Sequence, residues 1–554
     1  MDVPRYGDLL VVVSAPLHGE GLPRKVLRLL DERPLLAHAL EIGRGVVQSD
    51  RQVIVLTDDD EVAMRAEREG YKAVVDERSA SGPTRVAAAI STLLVKGEAG
   101  RGAPFETVLL LEPSSPLLKP LDLATAVQTL ASGEFDSVIS ASKEIHRTWM
   151  LVDGHYVPDF GQWPQATKEN LYRETGGFIV SRRAAILADR FLGPRVGVAA
   201  VPPERAISIT TPHEWWICER LLRRKRIVFV VAGNRLVGMG HIYRTLQLAH
   251  EINNHELLFI CTRESDLAAQ VFTANRYTTL VQDTESLVDC VLAQSPDLVI
   301  NDFLDTDVAY VRALKASGAK VINFEDLGGG AQCADLVFNE VYGDPAPKPN
   351  HRVGPDYFCI RDEFLSAPER PFSDAAQEVL ITFGGVDEEN LTSRILSLIW
   401  PEANRRGIRL SVVTGAGYGH AAELKTLIDN IGSPLVLQTN RTKRMSEYMA
   451  RADLAFSSAG RTLFELATMR VPAIVMACNP REETHPFASS HSGFAYLGRH
   501  DRVSDAELLS TFRQLVNEPR RRRAMRECLE RFSFRDGKKR VLTEIADVAG
   551  VALN

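Results

Sequence analysis

Cysteine is sparse in this chain of 554 residues: seven are spread between Cys218 and Cys528, with no Cys-x-x-C pair. That spacing argues against structural zinc and against a disulfide framework. No apolar run approaches the roughly 20 residues needed to span a bilayer. Met1–Asp8 lacks the basic start and apolar segment of a secretory signal, so the expectation is a cytoplasmic protein with no membrane partner. Basic residues are not in excess: 65 Lys and Arg stand against 72 Asp and Glu, for a net charge of −7. They are scattered, which leaves no electrostatic footprint for nucleic acid. Two short charge runs, Asp58-Asp59-Asp60-Glu61 and Arg520-Arg521-Arg522-Arg523, read as solvated faces. Short internal repeats and low-complexity tracts are also missing.

What is present is core-forming material. Hydrophobic residues make up 45% and charged residues 25%, the balance of a globular protein with roughly three or four domains. Apolar runs of strand length alternate with helical patterns almost from end to end. Leu9–Val13, Gln52–Leu56, Thr107–Leu111 and Ser137–Ala141 form a first series, closed by a helix at Glu214–Arg224. Ile227–Ala232, Leu257–Ile260, Leu298–Ile300 and Lys320–Asn323 form a second. After the proline-rich stretch Ala367-Pro368-Glu369-Arg370-Pro371, a third runs through Glu378–Phe383, Arg409–Val413, Leu454–Ser457 and Ala473–Met476. Such alternation predicts α/β domains with mainly parallel sheets. The expected boundaries are 1–225, 226–366 and 375–554, with a cleft between the last two lobes.

In the C-terminal half, three clusters fall where strands end and helices begin, the usual ligand edge of an open parallel sheet. The first is Gly238-Met239-Gly240-His241-Ile242-Tyr243-Arg244. Glycine lets backbone approach a ligand closely, free N–H groups at a helix start favour phosphate, and histidine can take a proton near neutral pH. The second is Phe383-Gly384-Gly385 with Asp387 and Asn390-Leu391-Thr392; the third is Ser458-Ala459-Gly460-Arg461-Thr462 with Glu465. Small residues at that helix entrance can cradle a diphosphate, and Glu465 lies about one turn further in, where a carboxylate could accept both ribose hydroxyls. Each cluster alone also reads as a tight turn or a surface helix position; their order across two lobes is what points to a nucleotide cleft.

From about residue 227 to 535, these clusters resemble the PseG-type UDP-sugar hydrolases, relatives of the MurG-like glycosyltransferases with the two-lobed GT-B fold. Arg361-Asp362-Glu363-Phe364 and Cys478-Asn479-Pro480-Arg481-Glu482-Glu483-Thr484-His485 belong to the same match. The resemblance implies metal-independent hydrolysis of a UDP-activated acetamido sugar, with His241 as general base. It implies nucleotide or sugar contacts from Gly238, Gly240, Arg244, Gly384, Gly385, Asn390, Ser458, Gly460, Thr462, Glu465, Asn479 and Glu483. Where that family commonly has Asp-x-Tyr, this chain reads Asn301-Asp302-Phe303-Leu304-Asp305, so Asp302 or Asp305 is expected to supply a polar contact instead. Spore-coat proteins of the SpsG type look similar here.

Residues 8–222 resemble the sugar-acid cytidylyltransferases, including the CMP-sialic acid synthetases and the PseF and SpsF types. The segments are Gly21-Leu22-Pro23-Arg24-Lys25, Thr57-Asp58-Asp59, Glu112-Pro113-Ser114-Ser115-Pro116-Leu117, Tyr172-Arg173-x-x-Gly176-Gly177 and Pro203-Glu204-Arg205. What this implies is a Rossmann-like nucleotidyltransferase domain that takes CTP and Mg²⁺, with Gly21, Arg24, Lys25, Asp58 and Ser115 near the nucleotide. Two departures stand out. Pro16-Leu17-His18-Gly19-Glu20 replaces the family's Arg-Gly-Gly-Ser-Lys. Like charges 4 Å apart repel by about 4 kcal/mol at an effective dielectric near 20, so Glu20 opposes a triphosphate. The family's metal-binding Asp-x-Asp aligns with Ser208-Ile209-Thr210, whose hydroxyls are poor ligands for Mg²⁺.

The two resemblances together imply a bifunctional protein of nonulosonic (pseudaminic or sialic-like) acid biosynthesis. One half would strip UDP from a diacetamido sugar; the other would attach CMP to the later nine-carbon acid. Two alternatives stay open: a GT-B glycosyltransferase acting on a UDP-sugar, and an N-terminal half kept for nucleotide binding or homodimer formation. Among other histidines, His485 could reach the cleft and His146 falls in a substrate-side segment, while His18, His213 and His420 show no partner pattern.

Overall fold

A computed structural model describes residues 3–18, 21–77, 83–97, 104–143, 149–158, 171–187, 190–234, 239–341, 343, 348–368 and 371–553. Gly238, Glu20 and His146, named above, lie outside the described residues. The chain divides into two compact units, Met1–Arg223 and Arg224–Asn554.

The first unit is built on a seven-stranded sheet, in the order Val196–Ala200, Ser137–Lys143, Tyr172–Arg182, Thr107–Leu111, Leu9–Ser14, Val53–Thr57, Lys72–Val75. Tyr172–Arg182 runs antiparallel to both neighbours and the remaining pairs are parallel. Leu9–Val13 has no solvent exposure along its length. An unbroken apolar run is what a parallel strand covered on both faces requires.

The second unit holds two all-parallel sheets. One follows the order Thr278–Val281, Glu256–Cys261, Arg226–Val231, Leu298–Asp302, Lys320–Phe324, Leu336–Asn339, His351–Val353. The other follows Val436–Asn440, Arg409–Thr414, Glu378–Ile381, Leu454–Ser458, Ala473–Ala477, Phe494–Arg499. In each, the first strand of the series sits mid-sheet and the chain leaves it in both directions. The strand order reverses there, which opens a crevice at the carboxyl ends of the strands. Arg226–Val231 beside Leu298–Asp302 forms one such point; Glu378–Ile381 beside Leu454–Ser458 forms the other. These sheets, with the N-terminal one, give the chain a Rossmann-like α/β unit followed by two parallel-sheet lobes, the arrangement expected above for a GT-B fold.

The lobes of the second unit exchange core elements. Val541 and Ile545 of the helix Gly537–Ala549 pack into the first lobe with Phe229, Phe259 and Phe338. Phe358, Ile360 and Phe364 pack into the second lobe with Phe464 and Phe487.

One expectation fails. Arg522, inside the basic run read as a solvated face, has no exposed surface. Its guanidinium donates to the carbonyls of Leu515 and Val516 at 2.5 and 3.2 Å, and to those of Ser373 and Asp374 at 3.1 and 2.7 Å. The helix Asp505–Asn517 ends there, and its last carbonyls need donors that a buried arginine supplies. Among the described residues, no helix is long and apolar enough to cross a membrane.

Candidate functional site

Three strands of the first lobe end in acid: Asp302 closes Leu298–Asp302, Glu325 follows Lys320–Phe324, and Glu340 follows Leu336–Asn339. One or two residues before them along the chain stand Asn301, Asn323 and Asn339; Asn301 is in register with Asn323 and donates to it at 2.8 Å. Facing these acids is the helix Gly240–Ala249, whose buried side includes His241, Arg244 and Thr245. Positions one turn apart share a helix face, which is how His241, Arg244 and Thr245 reach a single carboxylate.

Asp302 is the hub. Its Oδ1 lies 2.5 Å from Nδ1 of His241 and accepts from Nη2 of Arg244 at 2.5 Å. Its Oδ2 accepts from Nε of Arg244 at 2.9 Å and from the Thr245 hydroxyl at 3.1 Å. Burial opposes ionisation of this carboxyl, but Arg244 and then His241 outweigh burial and hold it below the usual carboxylate range. An ionised carboxylate only accepts, so Nδ1 of His241 carries a proton and Nε2 is the ring nitrogen left to face a reactant.

Arg244 is 1% exposed. Besides Asp302 it donates to Glu340 at 2.6 Å and to Glu325 at 3.3 Å. Burial would weaken the cation, and Asp302, followed by Glu325, more than restores it. Three carboxylates therefore engage Arg244, which holds Asp302 in place. Glu325 sits at φ 54°, a left-handed backbone that costs a non-glycine residue of order 1–3 kcal/mol. Its Oε1 accepts the N–H groups of Glu340 and Val341, both at 2.9 Å. Desolvating so many charges is expensive, and apolar residues of similar volume are often as stabilising. A cluster of this kind in a crevice points to chemistry.

The second lobe meets this cluster through its own turns. A Cβ on Gly385 would lie 2.6 Å from Cγ of Met239, and one on Gly240 would lie 2.7 Å from Cδ of Arg461. Cβ positions on Gly384 and Gly460 would stand 3.9 and 3.5 Å from the Ser458 hydroxyl. The three glycine- and serine-rich turns read from the sequence therefore converge. Arg461, the residue before the helix Thr462–Thr468, pairs with Glu340 across the crevice. Arg481 pairs with Asp305 at 3.1 Å and also donates to the Glu325 carbonyl. Asp302 and Asp305 both make polar contacts, each with a different partner.

Other named residues are engaged nearby. Glu465 accepts from Nε of Arg361 at 2.9 Å, and Arg361 also pairs with Glu363 at 2.7 Å and lies 5.3 Å from the Tyr243 ring. Asn390, itself left-handed at φ 51°, accepts from Tyr418 at 2.6 Å and donates to Glu423 at 3.0 Å. The first amides of the helix Leu391–Arg406 are capped by Asp387, through Leu391 and Thr392 at 2.9 Å each. That helix start is thus already occupied by a carboxylate. Asn479 accepts the Glu482 N–H at 3.0 Å, and Glu483 pairs with Arg502 at 3.2 Å and Arg499 at 3.5 Å. His485 lies behind the Ser458–Gly460 turn, its Nδ1 2.7 Å from the Ala459 carbonyl; burial lowers its pKa to about 4, so the ring is neutral.

Glu325 and Glu340 were not named from the sequence, and Arg461 and Glu482 appeared there only inside quoted segments, with no role. Glu482 lies behind Gly460, 3.3 Å from a Cβ placed there, and burial raises its carboxyl to about 7. For the first two a signal existed: an acid directly after each apolar run, in Asn-Phe-Glu and Asn-Glu, as in the Asn-Asp that ends with Asp302. Arg461 and Glu482 carry no pattern that distinguishes them from surface residues.

In the first unit, Gly21 has φ 91° and its Cβ position lies 2.6 Å from the Thr210 carbonyl, so the loop presses directly on Ser208-Ile209-Thr210. Lys25 donates to the Ile209 carbonyl at 3.3 Å. The buried Ser115 lies against Gly177, whose Cβ would meet its hydroxyl at 3.2 Å. Burial raises Glu112 to about 7, against the pull of Lys25. Asp58 caps the Leu17 N–H at 2.7 Å, and Arg24 pairs with Glu61 at 2.7 Å on the surface. A lysine ammonium and two hydroxyls do not fit a divalent cation, which favours hard anionic oxygen. No cluster of three or more His, Cys, Asp or Glu suited to a metal occurs among the described residues.

Residues 10–198 match the family model described as cytidylyltransferase, and residues 379–541 match that of the glycosyltransferase family 28 C-terminal domain. The chain is 26% identical over 272 residues to an uncharacterised protein of Methanocaldococcus jannaschii, covering 46% of this chain and 56% of that one. It thus spans little more than half of that relative. It is 23% identical over 295 residues to the spore coat polysaccharide biosynthesis protein SpsG of Bacillus subtilis, covering 50% of this chain and 86% of that protein. It is 26% identical over 230 residues to the CMP-N,N'-diacetyllegionaminic acid synthase of Legionella pneumophila, covering 39% and 96%. The chain joins a cytidylyltransferase-like N-terminal half to an SpsG-like half of GT-B fold.

Proposed function

We propose that the C-terminal half hydrolyses a UDP-activated diacetamido sugar to free sugar and UDP, and that the N-terminal half is a CMP-sugar-acid synthetase-like, CTP-binding domain. Both would serve the making of nonulosonic sugar acids. The observation that carries this reading is the Asp302–His241 hydrogen bond of 2.5 Å, which leaves Nε2 of His241 able to accept a proton. In the proposed step a water oxygen bonds to the anomeric carbon while its proton passes to Nε2. The bond from that carbon to the diphosphate oxygen breaks, and its electron pair leaves with UDP. A positioned base of this kind contributes typically about 10²–10⁴-fold. Ser458, Gly460 and Thr462 would flank the diphosphate, and Glu465 would take the ribose hydroxyls on release from Arg361. His241 is 7% exposed, so substrate entry requires the crevice to open. The SpsG and legionaminic acid synthase relatives support the setting in sugar-acid biosynthesis.

A second reading, transfer of the sugar to an acceptor hydroxyl, is favoured by the glycosyltransferase family 28 match. Incubation with UDP-diacetamido sugars separates the two. UDP released without acceptor and abolished in His241→Ala supports hydrolysis; UDP released only when an acceptor is present overturns it. For the N-terminal half, the Ser208–Thr210 segment under Gly21 and Lys25 favours binding over transfer. Calorimetry with CTP, with and without Mg²⁺, and product analysis after a nine-carbon sugar acid is added test this: heat without CMP-sugar product is expected, and CMP-sugar formation with release of pyrophosphate would refute it.

A further inference from the structure

We propose that Arg461 is the diphosphate-holding cation of the crevice, and that Glu340 keeps it in reserve across the lobes until a nucleoside diphosphate takes it over. This rests on the nucleotide-sugar reading above. Glu340 belongs to the first lobe and is fully buried; Arg461 belongs to the second and keeps 19% of its side chain exposed. Arg461 is therefore the wet end of an otherwise dry network.

The pairing is redundant on the Glu340 side. Oε1 of Glu340 is shared by Arg461 and by Arg244, the latter at 2.6 Å, while Oε2 accepts the Cys359 N–H at 3.3 Å. Breaking a buried ion pair is normally costly because it strands a charge. Here the departure of Arg461 leaves Glu340 still paired, because Arg244 stays on the same oxygen. Arg461, in turn, is under-compensated: burial, then the neighbouring Arg244, lower its pKa to about 9. A dianion beside it relieves that repulsion, and arginine's planar fork suits phosphate oxygens.

Position agrees. Arg461 stands between Gly460 and Thr462, in the turn that the reading assigns to diphosphate, and its stem crosses Gly240 at the start of the His241 helix. Its guanidinium also lies 4.4 Å from the Phe358 ring, a face on which it can pivot while changing anion. Exchange of Glu340 for diphosphate would release one arginine tie between the lobes at the crevice, where Arg481 to Asp305 is another. Ligand arrival and crevice opening would then be one event.

Titration of the full chain with UDP by calorimetry tests this. R461M is expected to weaken UDP by about tenfold or more, the loss of a charged hydrogen bond. E340Q is expected to tighten it, because the competing carboxylate is gone. In the double variant, E340Q is expected to change affinity by less than about twofold, since its effect passes through Arg461. Should R461M melt before titration, R461K replaces it, with intermediate affinity expected. UDP binding equally well to wild type and R461M, or less well to E340Q, overturns the proposal alone. No UDP binding to wild type overturns the nucleotide-sugar reading and the proposal with it.

Discussion

Replacing Asp302 with asparagine keeps the shape of the hub and removes its charge. Four hydrogen bonds end on this carboxylate, three of them from His241 and Arg244 at 2.5, 2.9 and 2.5 Å. An amide cannot accept on its nitrogen, so at least one of these contacts turns from attraction to donor–donor repulsion. Breaking a buried pair in this way costs about 3–5 kcal/mol, which lowers the melting temperature by about 10 °C in a unit of this size. That is less than the stability of most folded domains, so the variant can be assayed. Without the charge, a neutral amide oxygen holds the proton of His241 on Nδ1 less firmly, and the base at Nε2 is lost for part of the population. UDP release from a UDP-sugar is expected to fall by about 10²–10⁴-fold, close to the loss in His241→Ala. The acid response shifts as well. The Asp302 carboxyl is lower in the folded chain than its ordinary 3.8, so the stability it contributes is present above that value and lost as pH falls below it. Thermal melts between pH 5 and 2 are expected to be flatter in D302N. If D302N turns over within about twofold of wild type while H241A is inactive, the dyad is not the base.

Three further outcomes follow from the same geometry. Gly385→Ala places a methyl 2.6 Å from Met239 Cγ and 2.8 Å from its Cβ; it is expected to weaken UDP binding, and Met239→Gly in the same chain is expected to restore it, as measured by calorimetry. Burial raises Glu482 from 4.5 to about 7, so the folded chain is favoured while this group is protonated, and that stability is lost as pH rises from 4.5 through 7. Glu482→Gln is therefore expected to raise the melting temperature at pH 8 relative to wild type and leave it unchanged at pH 4; equal shifts at both pH values would contradict this. Gly21→Ala, at φ 91° and 2.6 Å from the Thr210 carbonyl, is expected to destabilise the first unit by about 1–3 kcal/mol and to abolish any CTP heat, with UDP binding unchanged.

The parallel α/β architecture was legible because both faces of each strand are covered, so runs such as Leu9–Val13 and Ile227–Ala232 show in the sequence as unbroken apolar blocks. The glycine turns were legible too, since close approach of backbone leaves few residue types to choose from. Arg522 was not: a run of four arginines looks solvated until the carbonyls at a helix end claim one of them. Nor were the exchanged core elements, because Val541 and Phe358 carry no mark of which lobe they will enter.

By itself the sequence determined the element types, the two halves and the positions of His241, Gly385 and Ser458 at strand ends, all properties set by local pattern and spacing. Only the tertiary structure decided that Asp302, Glu325 and Glu340, from three separate strands, meet on Arg244, and that Arg461 reaches them from the other lobe. Ion pairs between residues tens to more than a hundred positions apart depend on sheet order and lobe packing, which no local pattern encodes.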